Sequence, residues 1–140
     1  MSLGGKTMTA AERAHVGRVK AAGCICCQMR GFPHDRDGHV VEAHHLLRGG
    51  RRIGHMDTIG LCLWHHRGRL VMEGLSHASH RDILGPSLAE GSVPFHAEFG
   101  SDEDLLAYQR RLLEYQAREC DMPWDVSGRC EAGYLLGDAA

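Results

Sequence analysis

Apolar residues at helical spacing predict two long helices, one towards each end of the chain. The first is expected over about 10–22, because Thr9 and Glu12 have the spacing of a capping box. The second is expected over about 102–119, with Ser101 as its cap and acidic residues in its first turn, where they suit the helix dipole. The buried stripe of this second helix is expected to consist of Leu105, Tyr108, Leu112 and Tyr115.

The pattern between these helices predicts shorter elements. A hairpin is expected to turn at Asp35–Gly38, with its second strand leading through 40–45. Residues 46–53 are predicted to be a loop, because two adjacent glycines are incompatible with a helix there. A short helix is expected over about 63–72, and residues 74–100, which contain two prolines, are expected to have little regular structure. This mixture of elements predicts a single α+β domain.

The composition also predicts one soluble globular domain. The chain has 140 residues, of which 43% are hydrophobic and 24% are charged, which suits one core and not two. No apolar run approaches the ~20 residues that span a bilayer, so no membrane association is expected. Residues 1–6 lack the apolar region of a secretory signal, so a cytoplasmic location is expected. Six cysteines in such a protein indicate thiolate or metal chemistry rather than disulfides.

The distribution of charge indicates more than its sum. The net charge of −2 by itself disfavours nucleic acid as a partner, yet arginines crowd the middle of the chain and acids gather in its last third. Arg48, Arg51 and Arg52 are predicted to hold DNA phosphates, which gives affinity rather than sequence readout. Simple solvation of a glycine-rich loop explains these three residues equally well.

Two short motifs predict a structural zinc site. Cys24 and Cys27 form a C-x-x-C pair, and Cys62 and His65 form a C-x-x-H pair at the start of the predicted short helix. Two such pairs supply the four ligands of a tetrahedral zinc ion. A redox pair and small buried side chains remain alternative explanations of the cysteines. Cys26 is expected to be a spectator; the remaining cysteines, Cys120 and Cys130, lack ligand spacing.

Adjacent histidines form the most informative pattern in the chain. Neighbouring side chains in a strand point to opposite faces, so His44 and His45 cannot share one metal ion while the strand is extended. His65 and His66 are separated by about 100° around a helix, so one can face the zinc and the other a second site. In each pair, one histidine is therefore expected to face one site and its neighbour a different site.

Two segments carry a resemblance to the His-Asn-His (HNH) endonucleases, Glu42-Ala43-His44-His45-Leu46 and Asp57-Thr58-Ile59-Gly60-Leu61-Cys62-Leu63-Trp64-His65-His66. The resemblance covers about residues 24–69, with strand, loop and helix in that family's order. It implies a ββα-metal finger as the core of the α+β domain. The zinc knuckle would stabilise this finger, and the two long helices would flank it.

The resemblance also implies roles for these residues. His44 and His66 would bind a catalytic divalent ion, Mg²⁺ or Mn²⁺ with Zn²⁺ as an alternative. His45 would be the general base in a hydrolysis that leaves a 5′-phosphate. Asp57 stands where that family has asparagine, and it would hold His45 through its imidazole N–H. His65 stands where a second knuckle cysteine is usual, and histidine is an ordinary zinc ligand.

A closer resemblance is to the Ref-type, RecA-dependent nucleases of phages and prophages. It rests on the His-His-Leu and Thr-Ile-Gly-Leu-Cys-x-x-His-His motifs and on the later segment Phe95–Gly100, and it extends to about Glu114. It implies a role in phage recombination in the host cytoplasm, with DNA and a RecA-like recombinase filament as partners. Such nucleases can carry a long basic arm, whereas only a short leader precedes Thr9 here.

The expected organisation is a flexible leader over 1–8, a nuclease domain over 9–119 with its ββα core at about 24–70, and a tail over 120–140. The main alternative function is a non-catalytic zinc-knuckle module that binds nucleic acid or protein. That alternative explains the predicted zinc ligands but leaves His44, His45 and His66 without a role. A metal-storage protein would fit the histidine count but not the ordered placement of these residues.

Overall fold

The computed structural model describes residues 7–32 and 40–119 of the chain. At its centre two antiparallel strands, β1 (Val41–His45) and β4 (Thr58–Cys62), form a two-stranded sheet. The register places His45 opposite Thr58 and His44 opposite Ile59. All of β4 is buried, whereas β1 is half-buried along its length. The sheet therefore presents β1, with its histidines, towards the outside of the molecule.

The pairing of β1 corrects the predicted hairpin. The expected turn at Asp35–Gly38 lies outside the described residues, as do residues 1–6 of the leader and the tail from Cys120. The cysteine-rich segment after α1 forms a short helix, α2 (Ile25–Met29). The partner of β1 is β4, which follows it in sequence. The α+β class is confirmed, and its central sheet pairs β1 with β4.

A second small hairpin replaces the predicted loop over 46–53. Strands β2 (Leu47–Arg48) and β3 (Arg51–Arg52) pair antiparallel. Between them Gly49 and Gly50 have φ values of 61° and 79°. Positive φ at both central positions is what a type I′ turn requires, and this turn matches the twist of the strands that it joins. The glycines that exclude a helix therefore favour a hairpin.

The two long helices form as predicted. Helix α1 (Ala10–Ala21) begins at a complete capping box, in which Thr9 Oγ1 accepts from the Glu12 amide at 3.1 Å. Helix α6 (Asp102–Glu119) begins after Ser101, whose Oγ accepts from the Asp104 amide at 3.1 Å. Both helices begin where their caps predicted, so these ends are set by local hydrogen bonds.

The buried stripe of α6 differs from the prediction. Leu105 and Leu112 are buried as expected, but Tyr108 is half-buried and Tyr115 is exposed. Two glutamines take the buried positions instead, Gln109 and Gln116. The Oε1 atom of Gln109 accepts from the amide of Gly60 in β4 at 2.8 Å. A polar side chain is accommodated there because it satisfies a backbone group of the sheet.

Residues 74–100 form helices rather than the predicted loop, and the short helix before them is shorter than expected. Helix α3 (Leu63–Arg67) ends at Gly68, where φ is 72°. Helices α4 (His77–Leu84) and α5 (Ser92–Phe99) follow, separated by a 3₁₀ turn over Leu88–Glu90. Glycines with positive φ end α4 and α5, and Pro94 lies in the first turn of α5, where proline is tolerated. The glycines and the proline of this segment therefore mark the ends of helices and not a long loop.

The core packs the sheet against the surrounding helices through fully buried side chains, among them Ile59, Leu61, Trp64, Phe95 and Leu105. At Gly60 a Cβ atom would lie 2.7 Å from the Gly23 carbonyl oxygen and 2.9 Å from that of Val19. The end of α1 therefore approaches β4 more closely than any side chain would allow. Within residues 7–32 and 40–119, no helix is long and apolar enough to cross a membrane.

The two buried glutamines of α6 allow a matched test of this packing. Gln109→Leu leaves the Gly60 amide without its acceptor, so we expect the free energy of unfolding to fall by about 1–3 kcal/mol. Gln116→Leu makes the same change where neither amide atom has a hydrogen-bond partner among the described residues, so stability should stay the same or rise. Urea unfolding measures both, and equal losses in the two variants would contradict the role of Gln109.

Candidate functional site

Three cysteines and a histidine converge where α2 meets the start of α3. Cys24 lies just before α2, Cys27 lies within it, and Cys62 is the last residue of β4 and the N-cap of α3. His65 Nδ1 lies 3.3 Å from the sulfur atoms of Cys24 and Cys62, and the sulfurs of Cys27 and Cys62 are 3.8 Å apart. All four ligand atoms lie within 4.8 Å of one another.

This cluster fits a tetrahedral zinc ion. With Zn–S near 2.3 Å and Zn–N near 2.0–2.1 Å, tetrahedral geometry separates two sulfurs by about 3.8 Å and a sulfur from a nitrogen by about 3.6 Å. The separations in the cluster are close to these values. His65 Nε2 donates to the Leu84 carbonyl at 2.7 Å, which leaves the lone pair on Nδ1 for a metal. The four residues can hold a metal ion, consistent with the structural zinc predicted from the sequence.

The pKa shifts within the cluster differ from one side chain to the next. Burial raises the pKa of the Cys24 thiol, but hydrogen bonds from its neighbours outweigh burial and bring this pKa well below its ordinary value. For His65 burial acts in the opposite direction and lowers the pKa, but hydrogen bonds to Cys24 and Cys62 outweigh it and raise the pKa to about 10. Cys26 lies outside the set of four, and burial raises the pKa of its thiol. Hydrogen bonds with Cys24 and Cys62 raise the pKa of the Cys27 thiol. Thiolate character is therefore favoured at Cys24 and disfavoured at Cys26 and Cys27.

The adjacent histidines of β1 pair with different partners. His44 Nδ1 lies 3.3 Å from His66 Nε2, on α3. His45 Nε2 lies 3.0 Å from His55 Nδ1, in the loop before β4. The alternation of a strand thus separates the two histidines, as expected. The adjacent histidines of α3 also diverge, because His65 faces the cysteines and His66 faces β1.

Glu42 fixes the orientation of His66. Its Oε1 atom lies 2.8 Å from His66 Nδ1 and accepts from Arg67 Nε at 2.7 Å. A proton on Nδ1 of His66 leaves the lone pair of Nε2 directed at His44. Burial and the neighbouring His66 lower the pKa of His44 to about 4. His66 therefore directs a lone pair at His44, and the low pKa of His44 keeps its imidazole neutral, which is the form that binds metal.

Asp57 and His55 differ from the sequence-based expectation. The Asp57 carboxylate accepts from Arg110 Nη2 at 3.2 Å, and among the described residues it makes no hydrogen bond to His45. Its backbone carbonyl instead accepts from the amide of Leu46 at 3.0 Å. The ring of His45 contacts His55. No motif spacing includes His55, because its position depends on the turn that carries it.

The three predicted phosphate-binding arginines share the β2–β3 hairpin. Arg48, Arg51 and Arg52 are all exposed, and Arg48 and Arg51 are directly paired beside the glycine turn. Arg52 is close enough to His45 to lower its pKa. The basic hairpin therefore lies beside His45, and its arginine side chains remain outside the core.

Another buried histidine, His80, has a structural role. Its Nε2 accepts from the amides of Val71 and Met72, both at 2.9 Å, and its Nδ1 donates to the Ser76 carbonyl at 2.8 Å. Both ring nitrogens are therefore occupied by backbone groups. His77, which the sequence places one turn earlier on α4, is exposed. The two residues do not form a shared site.

Comparison with known proteins assigns the chain to a family. The family model described as "Recombination enhancement, RecA-dependent nuclease" matches residues 8–114. The chain belongs to this nuclease family. The cysteine–histidine cluster and both histidine pairs of β1 lie within the matched residues. The chain has no significant match among curated proteins or among solved structures.

The neighbouring cysteines provide a matched test of the metal site. We expect Cys24→Ser to lose bound zinc and to melt far below the wild type, because structural zinc contributes on the order of 10 kcal/mol in finger peptides. Cys26→Ala, which changes a buried thiol outside the ligand set, should keep its zinc. Elemental analysis and thermal unfolding measure both effects. Zinc retained in Cys24→Ser, or lost from Cys26→Ala, would contradict the assignment.

Proposed function

We propose that this protein is a metal-dependent DNA endonuclease of the HNH type that hydrolyses phosphodiester bonds in phage or prophage recombination. The observation that carries the proposal is the division of the β1 histidines. His44 pairs with His66 on one face of the strand, and His45 lies on the other face with a separate partner. Such an arrangement would supply one metal ligand and the base from two consecutive residues, with His66 as the second ligand.

His44 and His66 are the proposed ligands of the catalytic ion. Ligand nitrogens about 2.0–2.1 Å from a shared ion are separated by about 3.0–3.4 Å, depending on its geometry, and the two ring nitrogens lie 3.3 Å apart. With only two protein ligands, other coordination positions remain for phosphate and water. Bound there, Mg²⁺, Mn²⁺ or Zn²⁺ would neutralise charge on the phosphate and on the leaving 3′ oxygen.

His45 is the proposed general base. Burial, Arg52 and His55 lower its pKa below the ordinary value, so its imidazole is neutral at neutral pH and able to accept a proton. In the proposed reaction it removes that proton from the attacking water. Asp57 supports the position of His45 indirectly, because its backbone carbonyl accepts a hydrogen bond from the amide of Leu46, the residue after His45.

DNA is the proposed substrate, and the β2–β3 hairpin is its proposed contact. Arg48, Arg51 and Arg52 are exposed on a finger-like element next to His45. Guanidinium groups there would hold phosphates that flank the cleaved bond. Because the family is named for dependence on RecA, we propose a RecA-like filament on DNA as the partner.

Substitution of His45 tests the proposed chemistry. We expect His45→Ala to reduce cleavage by at least about 100-fold, the usual contribution of a general base, with zinc content and DNA affinity preserved. The assay uses supercoiled plasmid and single-stranded DNA, with and without RecA filaments, in Mg²⁺, Mn²⁺, Zn²⁺ or chelator. His77→Ala, which changes an exposed histidine of α4, is the control.

Two results would contradict the proposal. Cleavage by His45→Ala at the wild-type rate would exclude His45 as the base. DNA binding by the wild type without cleavage in any metal or with RecA would favour the alternative, a non-catalytic zinc-knuckle module that binds nucleic acid or protein.

The hairpin arginines are tested through the salt dependence of DNA binding. Arg48→Ala and Arg51→Ala should each weaken binding to duplexes of any sequence. Each lost phosphate contact should make the slope of log K against log salt shallower by about 0.9. Arg118→Ala, an exposed arginine near the end of α6, is the control and should leave the slope unchanged. An unchanged slope in both hairpin variants would show that the hairpin does not contact phosphate.

A further inference from the structure

His55 is the residue of the site that no sequence motif includes. Its Nδ1 lies 3.0 Å from Nε2 of His45, and the two rings meet edge to face at an interplanar angle of 76°. Both side chains are half-buried. The contact is therefore a hydrogen bond between two imidazoles, partly shielded from water.

The loop that carries His55 is tied to the strands on both sides. The Asp57 amide donates to the Gly54 carbonyl at 3.2 Å and closes a turn around His55. The Thr58 hydroxyl donates to the His55 carbonyl at 3.3 Å. Leu46, next to His45, exchanges backbone hydrogen bonds with both sides of this loop, donating to the Asp57 carbonyl and accepting from the Ile53 amide. The backbone thus holds the His55 ring against the end of β1.

Between two neutral imidazoles, the proton of this hydrogen bond can belong either to His55 or to His45. If His55 donates, the proton of neutral His45 lies on Nδ1 and its single lone pair is already occupied, so it cannot accept a proton from water. If His45 donates through Nε2–H, the lone pair on its Nδ1 is free. Only the second arrangement is compatible with His45 as a general base.

We propose that His55 is the positioning residue of the general base, which accepts the Nε2–H hydrogen bond of His45 and thereby selects the tautomer with a free Nδ1. The inference rests on the proposed function of His45. It assigns to His55 the part that the sequence pattern suggested for Asp57, whose carboxylate is paired with Arg110. A neutral acceptor orients the imidazole without adding a negative charge to a site that must approach phosphate.

Asparagine provides the decisive variant, because its Oδ1 atom lies where the Nδ1 atom of histidine does and can accept the same hydrogen bond. We expect His55→Ala to lower kcat by about 10–100-fold, the usual cost of losing such an orienting partner, with KM unchanged. His55→Asn should recover most of this loss. His77→Ala again serves as the control, and zinc and divalent-ion content should be the same in every variant.

The tautomer can be measured independently of activity. Imidazole ¹⁵N shifts of the full-length protein should show His45 protonated at Nε2 in the wild type and in His55→Asn. In His55→Ala we expect a mixture of the two tautomers. Together with kcat, this measurement separates an orienting role from a merely structural one.

Several outcomes would overturn the inference. A wild-type kcat in His55→Ala would exclude the role, as would His55→Asn being as impaired as His55→Ala, or wild-type His45 protonated at Nδ1. Loss of a metal ion from His55→Ala would show that His45 and His55 bind metal instead. If His45→Ala remains inactive while His55→Ala is normal, only the role of His55 fails. If His45→Ala cleaves normally, the proposed function fails with it.

Discussion

The junction between β4 and α3 constrains the rest of this structure. Cys62 ends the strand, caps the helix and belongs to the cluster with Cys24, Cys27 and His65. A metal ion bound there would tie α2 to the β4–α3 junction, which a small core of few aromatic residues would hold less firmly. Because β1 pairs with β4, the histidines of β1 lie next to this junction.

Periodicity then distributes the functional side chains. On α3 a step of about 100° separates His65 from His66, so one faces the cysteines and the other faces β1. On β1 the alternation of the strand directs His44 to His66 and His45 to the opposite face. The two dipeptides thereby contribute one member of the buried cluster, both members of the proposed ligand pair and the candidate base. The cluster and the proposed catalytic centre use adjacent residues of α3, His65 and His66, so damage to the cluster would also displace His66.

Local signals in the sequence predicted local structure, and long-range pairing was not predictable from them. The capping box at Thr9 and the metal-ligand spacing were readable because neighbouring residues form them. The strand that pairs with β1 could not be predicted in this way, because strand pairing depends on how distant segments pack. Hydrophobicity favours Tyr108 for the buried stripe of α6, whereas its neighbour Gln109 is buried and accepts a hydrogen bond from the amide of Gly60. No spacing predicts His55, because a turn brings it to the site.

The proposed roles require two distinct metal centres beside α3, one that holds the frame and one that is open to substrate. Titration of zinc-loaded, ¹⁵N-labelled protein with Mn²⁺, followed by NMR, distinguishes the two centres. We expect paramagnetic broadening to begin at the imidazoles of His44 and His66 while the zinc content stays constant. Broadening centred elsewhere, or release of zinc as Mn²⁺ binds, would contradict the existence of a separate second centre.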